Sequence, residues 1–136
     1  MHVFTYGSLM YSEVWQRVVS EKYQSETARI YGFCRKKVVN EHYPVLKLQD
    51  NAICQGRLYL NVTLTDIHRL DDFEGEYYDR VTRLVSLSNG HQVKAQVYLL
   101  NSQFSHICSH QNWSTSEFEK TGLNQFLAQY KGFNPV

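Results

Sequence analysis

Asn89-Gly90 separates two runs rich in β-branched and aromatic residues, 77–87 and 92–100. That pattern predicts a β-hairpin, and a type I′ turn would put both central residues at positive φ. An antiparallel pair late in the chain needs a sheet to join, and the earlier segments supply it. Residues 2–6 predict a strand that ends in the turn Gly7-Ser8. Residues 11–21 predict a helix, with Val14, Trp15, Val18 and Val19 on its apolar face. Residues 27–39 read as a strand broken near Gly32, and 52–60 as another. His42-Tyr43-Pro44 between them reads as a loop, because a proline biases its predecessor away from helix.

Residues 63–73 predict a short helix, with Thr63 as N-cap, Asp66 in the first turn and Leu64, Ile67 and Leu70 on the buried face. Ser114-Thr115-Ser116-Glu117 has the spacing of a capping box, and Phe118, Phe126, Leu127 and Tyr130 give a last helix its apolar face. Few strand–helix–strand units alternate, which argues against a doubly wound parallel sheet. The expected fold class is α+β, with a curled, partly closed mixed sheet in one domain over residues 1–136.

Charge narrows the function. Fourteen basic residues face thirteen acidic ones for a formal charge of +1, so no field of one sign draws in nucleic acid or an anionic membrane. The ten tyrosines therefore read as strand packing and pocket lining rather than base stacking. The opening residues hold neither a basic n-region nor a long apolar run, so a signal peptide or membrane anchor is not expected. Cys34, Cys54 and Cys108 are odd in number and unpaired in spacing, which suggests free thiols in a reducing, cytoplasmic setting.

Three local features bear on chemistry. Glu74 lies seven residues after Ile67 and four after Leu70, so helical spacing sets it over the apolar face, with Asp71 nearby. A carboxylate so placed needs partners or a raised pKa, and a raised pKa suits acid–base work near neutrality. The competing reading makes Glu74 a structural ion-pair partner of Arg80 or Arg69. Second, the turn in Tyr6-Gly7-Ser8-Leu9 leaves backbone N–H groups free at a helix start, which can hold an anion. Its flanks lack the G-x-S-x-G elbow and the Gly-Lys-Ser/Thr of a P-loop. Third, His106, Cys108 and His110 alternate as zinc ligands could on one strand face, but a fourth ligand and a paired CxxC are missing, so no metal is assigned.

The first two features occur together in one family. Tyr6-Gly7-Ser8-Leu9 resembles the YGSL opening of the gamma-glutamylcyclotransferase-like, or AIG2-like, proteins. Leu70-Asp71-Asp72-Phe73-Glu74-Gly75 followed by Tyr78-Asp79-Arg80 resembles their LDxxEG…YxR segment. Tyr43-Pro44, Gly56-Arg57-Leu58-Tyr59 and Val97-Tyr98 are similar to further family positions, although Arg57 stands where an acidic residue is common. The resemblance implies a small mixed β-barrel flanked by helices with a pocket at its mouth. It implies Glu74 as the acid–base, Tyr6, Gly7, Ser8 and Leu9 as the loop that holds a glutamyl group, and Tyr98 as pocket lining. The implied reaction is intramolecular: the α-amine of a gamma-glutamyl compound attacks its own γ-carbonyl, yielding 5-oxoproline and an amine without a cofactor. A non-catalytic gamma-glutamyl binder and a gamma-glutamyl acyltransferase or hydrolase remain alternatives on the same residues.

Overall fold

The computed structural model describes residues 1–129. Strands β1 (Val3–Thr5), β2 (Ser25–Val38), β3 (Pro44–Tyr59), β4 (Tyr78–Leu87) and β5 (Gln92–Leu100) form a ring in the order β3-β1-β5-β4-β2, closed by β2 pairing back onto β3. Among the described residues only the β1–β5 pair is parallel, so the barrel is mixed. Strand β6 (Cys108–Asn112) adds to β2 outside the ring, opposite Lys36 and Val38. The expected α+β barrel is the fold that forms, and its ring closes completely.

Alternation along the strands assigns the two hydrophobic layers. Phe4, Leu58 and Val97 point into the barrel with Ile30, Phe33 and Val85. Their neighbours Val3, Tyr59 and Tyr98 point outward, under the helices. Helix α1 (Ser12–Val18) covers that outer layer through Val14, Trp15 and Val18, the face expected from spacing. The Trp15 ring stacks on Tyr59 with centroids 3.6 Å apart, a contact worth about 0.5–1.5 kcal/mol beyond its buried area.

Helix α2 (Leu64–Glu74) starts where Thr63 accepts the Asp66 N–H, as expected. Its buried face differs from the expected one. Ile67 and Leu70 are fully buried, but Leu64 is 60% exposed, because Asp66 turns inward in its place. Asp66 accepts hydrogen bonds from the Ser20 N–H and hydroxyl, the Glu21 N–H and the Tyr23 hydroxyl. Desolvation works against its charge, but these donors outweigh it and hold the carboxyl below its ordinary value. The group ties the start of α2 to the end of α1.

Two other expectations change. The hairpin forms, but Asn89 is not among the residues at positive φ; Gly90 alone adopts the left-handed conformation, at 87°. The loop is a turn closed by the Gly90 N–H on the Leu87 carbonyl at 2.9 Å, with the Leu87 N–H on the His91 carbonyl at 2.8 Å. Strand β3 also begins at Pro44 rather than near residue 52. The polar stretch Gln49–Asp50–Asn51 hides this, because Asn51 takes positive φ while the pairing shifts register opposite Gly32. The tail opens with α3 (Thr115–Glu117), capped by Ser114 accepting the Glu117 N–H, and passes through a wide turn, Phe118–Gly122, into α4 (Leu123–Gln129). Phe118 is buried and Phe126 and Leu127 partly so, whereas Tyr130 lies outside the described residues.

Candidate active site

A cavity of about 450 Å³ opens where β1, the end of α2 and the start of β3 meet. One wall is the segment Tyr6–Leu9 that leaves β1, and Tyr98 on β5 stands beside it. The sequence therefore brings all six expected site residues to one cavity. A rigid frame holds them. The Tyr6 hydroxyl donates to the Tyr98 carbonyl, the Tyr59 hydroxyl to the Leu9 carbonyl at 3.0 Å, and Arg35 to the Tyr6 carbonyl at 3.2 Å.

Gly7 is needed here for closeness rather than for conformational freedom. Its φ is −130°, which any residue adopts. A Cβ on it would lie 2.7 Å from Pro44 Cδ, so the proline ring occupies the space of a side chain. Beyond Gly7 the chain makes a tight turn, Ser8–Met10, in which the N–H groups of Met10 and Tyr11 bond to the carbonyls of Gly7 and Ser8. The N–H groups of Gly7, Ser8 and Leu9 have no acceptor among the described residues. All three residues line the cavity.

Glu74 faces it from the last position of α2. The helix stops there because Gly75 takes a φ of 74° and its N–H bonds to the Asp71 carbonyl. No hydrogen bond or ion pair engages the Glu74 carboxyl among the described residues, so neither Arg80 nor Arg69 is its ion-pair partner there. Arg80 bonds Asp71 at 2.9 Å, and the Tyr98 hydroxyl donates to the same Asp71 oxygen at 2.7 Å. The two carboxylates three residues apart are sorted by these bonds: Asp71 is held by partners, and Glu74 is left to the cavity. Burial first, and the charge of Asp71 second, push the Glu74 carboxyl up to about 8.

Tyrosines complete the wall. Tyr43 is pushed up to about 12 by burial and by Glu41, Tyr77 and Glu74. Tyr6, Tyr78 and Tyr98 are raised further, each chiefly by burial, so all remain hydroxyl donors. The Tyr78 hydroxyl donates to the Pro44 carbonyl at 3.0 Å and links the two sides of the mouth. In the sequence Tyr43, Phe73 and Tyr78 fall in motifs, Phe126 on the last helix's apolar face and Tyr77 at a strand start, none of them assigned to the site. Phe73, Tyr77 and Tyr78 had one signal, aromatic density on both sides of Glu74-Gly75, and Tyr43 and Phe126 had none there. His106 lies in a turn, Ser102–Ile107, before the strand that carries Cys108 and His110, and the described residues hold no cluster of three metal-ligating side chains. The three cysteines are free thiols.

Residues 3–115 match the family described as gamma-glutamyl cyclotransferase, AIG2-like. Among curated relatives, Protein AIG2 C of Arabidopsis thaliana is 27% identical over 72% of this chain, and the match spans 60% of that protein's length. AIG2-like protein A of the same plant is 24% identical over 96% of this chain and 79% of its own. In solved structures, an Arabidopsis thaliana protein superposes with a TM-score of 0.73 at 23% identity, over 96% of this chain and 79% of that one. A gamma-glutamyl cyclotransferase superposes at 0.65 with 16% identity, over 100% and 89%. A yeast gamma-glutamyl cyclotransferase specific to glutathione gives 0.61 at 16%, over 96% and 87%.

Proposed function

The chain belongs to the gamma-glutamyl cyclotransferase, AIG2-like family, and on that premise we propose that it is an enzyme that cyclises a gamma-glutamyl compound to 5-oxoproline and releases an amine. The observation that carries this reading is Glu74: a carboxyl without a partner among the described residues, raised to about 8, lining one cavity with Gly7, Ser8 and Leu9, whose backbone N–H groups are unbonded. An acid–base group works best when its pKa lies near the working pH.

The reaction follows from these groups. The substrate enters with its α-ammonium toward Glu74. Glu74 takes one proton, and the freed amine attacks the γ-carbonyl carbon, forming the new C–N bond of a five-membered ring. The carbonyl electrons move onto oxygen and then return as the bond to the leaving nitrogen breaks. Glu74 gives its proton to that nitrogen and takes the second proton shed by the ring nitrogen, which ends as the lactam N–H; passing that proton to the released amine, which departs as an ammonium, returns Glu74 to its starting state. The attack is intramolecular, so much of the entropic barrier is already met. The N–H groups of Gly7, Ser8 and Leu9 hold an oxygen of the substrate, and Tyr6 and Tyr98 shape the pocket around the glutamyl chain. The test compares 5-oxoproline release by the native protein and Glu74→Gln. Turnover should fall by about 10²–10⁴-fold, and near-native turnover in the variant would remove Glu74 from the mechanism.

A further inference from the structure

A second cavity, of about 320 Å³, opens where β2, β3 and β6 meet. Arg35 and Lys36 line it, and no aspartate or glutamate does among the described residues. Neither cation forms an ion pair there. The spare hydrogen-bonding groups around them are donors. Lys36 Nζ gives one bond, to Asn112 Oδ1 at 2.7 Å, and the Cys34 thiol donates to Gln49 Oε1 at 3.1 Å. Both amide oxygens are thus engaged, while their NH2 groups have no acceptor among the described residues. Arg35 uses Nη1 on the Tyr6 carbonyl at 3.2 Å and on Met10 Sδ at 3.9 Å, and its Nε and Nη2 make no hydrogen bond among the described residues. The ring centre of Trp113, which also lines the cavity, stands 5.4 Å from that guanidinium.

Two cations beside unused donors, with no carboxylate to pair with them, suit an oxyanion. The volume suits a small molecule rather than a polymer segment. We propose that this second cavity binds a small oxyanion, a carboxylate or a phosphate, held by Arg35 and Lys36, and that the ion steadies the loop of the larger cavity through Arg35. The link is one peptide unit. The carbonyl that Arg35 holds belongs to the same planar group as the Gly7 N–H, so the guanidinium sets the direction of that donor. An oxyanion forked onto Nε and Nη2 leaves Nη1 on Tyr6 and removes the freedom that the side chain still has.

Inorganic phosphate and succinate are the probes, each compared with sodium chloride at equal ionic strength. A bound probe should raise the melting temperature of the native protein by about 4–6 °C at ten times its Kd, and the larger response tells phosphate from carboxylate. Lys36→Gln removes one of the two charges and should weaken the binding about tenfold. In NMR the Gly7 amide signal should move along the same titration curve in the native protein. No melting shift beyond that of sodium chloride overturns the site. So does a shift that Lys36→Gln leaves unchanged, which would put the ion at the Gly7–Leu9 donors instead. A probe that stabilises the native protein through Lys36 but leaves the Gly7 signal still overturns the link to the loop. None of these readouts depends on turnover, so the inference stands or falls apart from the cyclotransferase reading.

Discussion

Replacing Glu74 by glutamine should stabilise the protein at alkaline pH and leave it unchanged in acid. The carboxyl stands at about 8 instead of its ordinary 4.5. A tenfold change in proton affinity is worth about 1.4 kcal/mol, so full conversion of that difference gives about 5 kcal/mol. Glu74 is only half-buried and opens on a cavity that water enters, so about 2–3 kcal/mol is the expected cost. The sign follows from linkage. Below the ordinary value of 4.5 the side chain is protonated in both folded and unfolded states and costs nothing. From there up to about 8 the unfolded chain gives up the proton while the folded one keeps it, so stability falls with rising pH. Above that the full cost is present. Glutamine keeps the shape and cannot ionise. Thermal unfolding of the two proteins should coincide near pH ~4 and separate by about 5–10 °C near pH ~9, the variant melting higher. Equal melting at both pH values, or a variant that melts lower in alkali, would show that the carboxylate has a partner in the folded state and would refute the reasoning.

Other substitutions follow from the same bonds. Asp66→Ala strips acceptors from Ser20, Glu21 and Tyr23, and should cost about 3 kcal/mol in chemical denaturation. Because the Asp66 carboxyl is held below its ordinary 3.8, the stability it contributes is present above that value and is lost as pH falls through its folded-state value, so the native protein should show an acid transition that the variant lacks. Gly7→Ala must displace the Pro44 ring from 2.7 Å and should cost about 1–3 kcal/mol while raising KM. Ser8→Ala leaves the backbone donors in place and should reduce turnover by less than about tenfold; a covalent adduct on Ser8 would contradict that role. Asp71→Asn leaves Arg80 without its ion pair, lowers stability by about 1 kcal/mol and moves the acid limb of the pH–rate profile down, because Asp71 helps raise Glu74.

Local signals in the chain were legible where one residue dictates one geometry. Thr63 caps α2, Gly32 marks the bend in β2, Gly75 ends α2, and spacing set Glu74 toward the apolar side. Misreadings came where tertiary partners overrode local preference. Leu64 has the right spacing for the core but is displaced by Asp66, a charge whose four donors lie over forty positions away and leave no local trace. The strand expected from residue 52 begins at Pro44, because Asn51 absorbs the register shift and lets β3 pass through the polar stretch before it. At the site, spacing left Asp71 and Glu74 nearly equivalent. Only the packing of β4 and β5 against α2, which delivers Arg80 and Tyr98 to Asp71, separates them. The aromatic lining was opaque for a similar reason: Tyr43, Tyr77 and Phe126 come from three distant segments that meet only when the barrel closes.

The identity of the product tests the central claim most directly. Native protein incubated with a gamma-glutamyl amine should release 5-oxoproline and the amine in equal amounts, with no free glutamate, at a rate that Glu74→Gln lowers by about 10²–10⁴-fold. Release of glutamate in place of 5-oxoproline would mean that water, not the substrate's own amine, attacks the γ-carbonyl, and would contradict the account.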